Sequence, residues 1–344
     1  MSNSIALAQS YVPLLDEVYK LASLTSDLDG AADLARQGAN ANELIIPKMS
    51  MQGLGDYSRN SGYVQGDVTM TNETVRCNFD RGRKFDIDTM DDMETAGLAF
   101  GRLAGEFIRT KVAPELDAFR FASYAGMDGI SKVASGATLS GGADVISALR
   151  AGITEMDEDE VPIEERYLYI TPTLFGLVQD MDTTKSREVL DNFTKVVKVP
   201  QTRFYTAIRQ LDGSTDGEKN GGYVKLTSCY KKVTSSTSGA LQVVADTATP
   251  TSSQIKVSSV TPVLDKSYTP AAGDYVLQVA GADINFMIIH KPAVIQFSKH
   301  IAPKIITPDM NPDADGYRFG YRHVGIADGY ENKRAGIYLH HKAS

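Results

Sequence analysis

Asp80–Ala125 reads DRGRKFDIDTMDDMETAGLAFGRLAGEFIRTKVAPELDAFRFASYA, and two periodicities meet inside it. As far as Ile87 the apolar residues alternate, as on a strand with one buried face. From Thr89 onward Ala96, Phe100, Leu103, Phe107, Ile108, Val112, Leu116 and Phe119 recur at helical spacing. Asp88 or Thr89 can cap the helix, and Asp91, Asp92 and Glu94 suit the positive end of its macrodipole. The pattern predicts one helix to about Ala125. At 1.5 Å per residue it would reach roughly 50 Å, more than a small domain is wide. Pro114 removes a backbone donor and is expected to kink or divide it. Phe100, Leu103 and Phe107 form its candidate core face. Arg81, Arg83 and Lys84 concentrate basic charge just before it, suited to an acidic surface on a neighbouring subunit, to phosphates, or to plain solvation at a strand end.

Toward the N-terminus, Leu44–Ile46 enters a strand and Gln52–Gly66 is a polar loop with four glycines. Residues 68–87 return with period-two apolar pairs. The whole is a hairpin-like excursion with little apolar content of its own. Such a hairpin is marginal alone in water, so it is expected to lean on a neighbouring subunit, with Tyr57, Arg59 and Tyr63 as candidate contacts. Before it, Tyr11–Leu24 has helical spacing, and Thr25–Asn42 reads as an extended arm.

Beyond the long helix the pattern is mixed. Helices are expected at Ala143–Met156 and Thr173–Met181, the second started by Pro172. Strands are expected at Tyr167–Ile170, Thr202–Ile208 and Ile284–His290. Tyr317–Val324 and Gly336–His340 read as two strands paired with each other across a polar turn. Residues 227–270 hold 17 Ser or Thr and only six charged side chains. Short strands at Leu241–Ala245, Ile255–Val260 and Tyr275–Val279 mark this region as a small β-rich insertion, since its Val, Ile and Leu content exceeds that of disordered segments.

Composition narrows the function. Of 344 residues, 43 are acidic and 35 basic, giving a formal charge of −8, which disfavours affinity for nucleic acid driven by the whole chain. Arg36, Arg102, Arg109 and Lys111 are the candidates for local, non-specific contact. No apolar run approaches the ~20 residues of a membrane span, and the N-terminus lacks a basic secretory n-region. Two cysteines, Cys77 and Cys229, make neither a disulfide framework nor a four-ligand zinc site. The sequence lacks a G-x-S-x-G elbow, a Walker A loop and H-E-x-x-H. Asn311-Pro-Asp313-Ala-Asp315-Gly316 copies the start of a calcium loop, but Arg322 stands where a bidentate Glu is required. Asp313 and Asp315 are therefore read as turn residues, and no catalytic, cofactor or metal site is expected.

Four stretches together resemble the major capsid proteins of tailed bacteriophages, the Hong Kong 97 fold family. They are Tyr57–Gly66 (YSRNSGYVQG), Asp80–Ala125, Arg166–Met181 (RYLYITPTLFGLVQDM) and Phe286–His341, which contains HKPAVIQFSKHIAPKIITPD and ends in YENKRAGIYLHH. The resemblance implies an α+β fold with an N-terminal arm (1–43), an extended loop (44–88), a spine helix opening the peripheral domain (89–139), an axial domain (140–224), the β-rich insertion (225–282) and a return to both domains (283–344). It implies a non-enzymatic shell subunit forming hexamers and pentamers around double-stranded DNA, with a portal protein as a further partner. The location implied is the virion, assembled in the host cytoplasm, with no membrane partner. Because the arm starts close to Met1, a separate scaffolding protein is expected. Lys48 is the only lysine between residues 44 and 83 and lies near the loop's base, so covalent cross-linking of subunits is not expected. An encapsulin-type cellular compartment shell is the alternative sharing the fold.

Overall fold

The structure is a computed structural model. It describes residues 23–30, 36–37, 43–57, 59–60, 62–94, 98–133, 136–181, 183–227, 229–233, 235, 240–260 and 270–343. The helix expected at Tyr11–Leu24 lies, apart from its last two residues, outside them. The contacts divide the chain into two units, one of Met1–Pro13, Leu28–Gly101 and Ile295–Asp328, the other of Leu14–Asp27, Arg102–Val294 and Gly329–Ser344.

The larger unit is built on a five-stranded sheet in the order Ser131–Lys132, Ile337–His341, Ile284–His290, Arg166–Ile170, Lys195–Lys198. All seven residues of the central strand Ile284–His290 are buried. Strands covered on both faces read as apolar runs, as this one does from Phe286 to Ile289. On one face Leu168, Ile170, Phe286, Ile288 and Tyr338 pack against Val145, Leu149 and Met156 of helix Gly142–Glu158 and Leu174 and Val178 of helix Pro172–Met181. Gly152 permits that approach, because a Cβ there would sit 2.8 Å from the Tyr338 ring. On Tyr169, Phe121 of helix Ala113–Ala125 stacks edge-on at 5.2 Å, and Phe204 meets Phe121 at 4.8 Å.

Four differences from the sequence pattern have local or topological causes. The helical run does not break at Pro114. Between Leu98–Phe107 and Ala113–Ala125 it widens into a π turn, Ile108–Val112, where Ala113 N–H donates to Ile108 O. Proline cannot donate to Thr110 and its ring crowds that carbonyl, so the wider turn accommodates it. Tyr317–Val324 and Gly336–His340 do not pair with each other. Gly316–Gly329 joins Phe79–Asp88 in the smaller unit, while Ile337–His341 joins Ile284–His290 in the larger. Thr202–Ile208 is not a strand, since Gln201–Arg203 forms a 3-10 turn and the strand is Ile208–Gln210. Ile255–Val260 is likewise divided into a strand, Gln254–Lys256, and a 3-10 turn, Val257–Ser259.

Within 227–280, strands Cys229–Val233, Tyr275–Val279, Leu241–Val244 and Gln254–Lys256 form a separate four-stranded sheet in that order. Val243, Val260 and Val276 are its buried centre.

A histidine in the main sheet should make the fold sensitive to acid. His340 is 3% exposed and stacks on Phe286 at 4.9 Å. The Asn285 Nδ2 group donates to Ala137 O at 2.8 Å and lies 3.0 Å from His340 Nδ1. That geometry requires an unprotonated Nδ1, because an imidazolium would set two donors face to face. Burial, with the nearby His341 charge, pushes His340 down to about 4. Its folded pKa is below the unfolded ~6.5, so this contribution is complete above pH ~6.5 and is lost as pH falls toward 4, by about 3 kcal/mol. Chemical denaturation at pH ~7 and ~4.5 should show that loss, and His340→Gln should remove most of it. His290, held low chiefly by burial, retains a residual slope of the same sign. An identical acid loss in His340→Gln would exclude this origin.

Candidate intersubunit surface

Glu43–Met51 and Val68–Arg76 pair antiparallel from Glu43↔Arg76 to Met51↔Val68. Burial fades along the ribbon, so that Val75 near the base is buried and the tip is open. Strand alternation puts Met49, Met51, Val68 and Met70 on one face, and they are 51–66% exposed. Beyond them, Gln52 N–H donates to Asp67 O and Asp67 N–H to Gln52 Oε1, both at 3.3 Å, closing the loop base. The loop adds exposed Leu54, Val64, Tyr57 and Tyr63, with the two tyrosine rings 5.0 Å apart. An apolar patch of this extent on a ribbon marks an interaction surface, and methionine adapts to irregular partners. Arg59 is exposed beside it.

The basic cluster sits elsewhere in the same unit. Phe79–Asp88 pairs residue by residue with Gly316–Gly325, opposing Arg81 to His323, Arg83 to Tyr321 and Lys84 to Gly320. Gly82 is required there, since a Cβ would lie 2.7 Å from the Tyr321 carbonyl oxygen. Arg81 and Arg83 are half-buried and Lys84 is exposed. Asp80 takes a bidentate bond from Arg322 at 2.9 and 2.6 Å, which holds its carboxyl below the usual range. The calcium-like turn serves the same strand. Asp313 pairs with Arg318 at 3.0 Å, and Asp315 accepts from the Thr89 hydroxyl at 3.1 Å. Among the described residues, no group of three His, Cys, Asp or Glu side chains could hold a metal. No described helix is long and apolar enough to cross a membrane.

The other sequence candidates are dispersed. Phe100's side chain lies outside the described residues, and Leu103 and Phe107 are half-buried. Among the residues whose side chains are described, full burial in the long helix starts at Pro114 and includes Leu116, Ala118 and Phe121. Arg109 is ion-paired to Glu106 one turn back, Arg102 and Lys111 are exposed, and Arg36 is described by its pairing with Ile45 alone.

Sequence reasoning missed a buried node at the start of the described chain. Asp117 is 0% exposed. It accepts from the Ser23 and Thr25 hydroxyls at 2.8 Å, from the backbone of Leu24 and Thr25, and from Arg203 at 2.9 Å. Arg120 donates to the same Thr25 hydroxyl at 2.9 Å. The segment read as an extended arm thus begins as a docked turn, Ser26–Leu28, with Thr25 and Leu28 buried.

No family model matches the sequence, and no curated protein matches it. Solved structures do. A chain of the cyanophage P-SCSP1u capsid matches with a TM-score of 0.59 and 11% identity, over 98% of this chain and 93% of that one. A chain of the mature capsid of bacteriophage PhiM1 matches with a TM-score of 0.58 and 11% identity, over 98% and 92%. The fold is a phage capsid fold. A chain of Mycobacterium phage Che8 matches at 0.52 and 14% identity, over 99% and 98%. The fold leaves the apolar tip of the ribbon open to solvent, with Arg59 exposed beside it.

Proposed function

We propose that this chain is the major capsid subunit of a tailed phage. It assembles through hexamers and pentamers into an icosahedral head enclosing double-stranded DNA. The observation that carries the reading is the ribbon of residues 43–76, whose tip leaves eight large apolar side chains more than half exposed on a chain with a capsid fold. That surface is unstable in water alone and is covered when a neighbouring subunit lies across it.

On this reading 1–43 is the N-terminal arm, 44–88 the extended loop, 89–139 the spine and first part of the peripheral domain, and 140–224 the axial domain. Residues 225–282 are an insertion and 283–344 the return. Tyr57, Arg59 and Tyr63 contact the neighbour by apolar and stacking surface, and Arg81, Arg83 and Lys84 by charge. Phe100, Leu103 and Phe107 form the core face of the spine. A scaffolding protein and a portal protein are its assembly partners, the host cytoplasm the place of assembly and the virion its location. Contact with the genome is weak and non-specific, as a chain of charge −8 requires.

Expression of the chain with its scaffolding partner, followed by negative-stain imaging and analysis of particle contents, tests the proposal. Closed shells that take up double-stranded DNA when portal and packaging proteins are supplied are the expected result. Shells filled with a specific protein cargo would point to a cellular compartment instead, and a persistent monomer would overturn the shell reading altogether.

A further inference from the structure

Within the larger unit an open groove of about 770 Å³ runs between helix Gly142–Glu158 and the side chains of Met181, Thr183, Thr184 and Lys185. Ile146, Ala151 and Met181 give it an apolar lining, and Arg150 and Lys185, both exposed, give it positive charge. Met181 is 38% exposed, whereas Val178, one turn before it on the same helix, is buried.

The same helix runs out into the opposite chemistry. From Glu155 to Glu165 the sequence is EMDEDEVPIEE, seven acidic residues and no basic one. In the middle of this charge Ile163 stands 59% exposed. The turn is rigidly presented. Arg166, 1% exposed, donates through Nε to Pro162 O at 2.8 Å and through its second guanidinium nitrogen to Val161 O, and it pairs with Asp157 at 2.8 Å. Glu160 and Glu165 hold positive φ values of 56° and 59° on either side of Ile163, a conformation that ordinary side chains adopt only when their surroundings enforce it.

We infer that the 158–165 turn of one copy seats in the groove of a second copy. Ile163 then meets Ile146 and Met181, while Glu160 and Glu164 face Arg150 and Lys185. The occupant is another copy because the chain carries both halves of the match, an apolar peg rimmed by carboxylates and an apolar groove flanked by cations. The turn cannot fold back into its own groove, since it continues the same helix and is braced from behind by Arg166. A groove-to-turn contact uses two different patches, so it is heterologous and closes into rings when the rotation permits. The inference rests on the shell reading above and assigns to it one contact within a ring.

Charge exchange tests it. R150E/K185E and E160K/E164K should each fold as the wild type does by circular dichroism, because all four side chains are exposed. Each should lower particle yield at least about tenfold, since like charges then oppose one another across the contact. The fourfold variant, with both signs exchanged, should recover to within about threefold of the wild type. Ile163→Ser, with no change of charge, should also lower the yield, separating the apolar peg from the electrostatics. Wild-type yields from both charge-reversed variants, or failure of the fourfold variant to recover, would overturn this contact while leaving the shell reading intact. A wild-type chain that never leaves the monomeric state would overturn both.

Discussion

Asp117→Ala is expected to destabilise the larger unit by about 3–5 kcal/mol, the cost of removing one partner from a buried ion pair. The loss comes from what is left behind. Arg203, 3% exposed, loses the Asp117 carboxylate from its buried charge, and the Ser23 and Thr25 hydroxyls and the Leu24 and Thr25 amides lose that acceptor. Buried groups stranded in this way cost more than an average hydrogen bond contributes. Asp117→Asn keeps the shape and one acceptor oxygen, so it should lose less. Chemical denaturation measures the difference, and limited proteolysis within residues 23–26 reports whether the segment has come away. A loss under about 1 kcal/mol, with the segment still protected, would mean that the docked turn is held by other contacts.

The second large effect falls on assembly and spares folding. Replacing residues 52–67 by Asn-Gly joins Met51 to Val68, which already face each other in the ribbon, through a two-residue turn of the kind hairpins favour. The replaced loop contains Leu54, Tyr57, Tyr63 and Val64, all highly exposed. Its removal should therefore leave the melting temperature nearly unchanged. Particle yield should fall at least about tenfold, because loss of a single anchoring aromatic commonly costs an interface that much. Met49→Ser/Met51→Ser tests the ribbon face without touching the loop and should act in the same direction. Normal shells from both variants would remove the ribbon from the list of intersubunit elements and would take the strongest support for the proposed function with it.

What the chain made legible by itself was whatever depends on neighbours in sequence. The apolar run Ile284–His290 and the short strand Tyr275–Val279 occur at the residues their patterns indicate. The helices at 142–158 and 172–181 follow from 3.6-residue spacing with a carboxylate or proline at their starts, Asp144 accepting from Gly141 N–H at 3.1 Å. The two strands of the ribbon were equally visible on either side of their glycine-rich loop, but the reading of little apolar content missed the exposed Met49, Met51, Val68 and Met70. Such features are encoded locally, because side-chain period and capping chemistry act over three or four residues.

Tertiary structure decided partners. Nothing in GYRFGYRHVGIADG shows that it pairs with Phe79–Asp88 more than 200 residues earlier, while the following strand Ile337–His341 enters a different sheet. The apolar content of both strands would suit many neighbours, so the choice belongs to packing. Asp117 is the sharpest case. On a helical wheel it is one more acidic residue in PELDAF, and its burial exists only because residues 23–25 and Arg203 arrive from far away in sequence to saturate its oxygens. The π turn at Ile108–Val112 was half legible, for Pro114 announces a disturbance. Whether a helix breaks, kinks or widens depends on whether the turns on either side are held, and after Pro114 they are held by the buried face of Leu116, Phe121 and Tyr124.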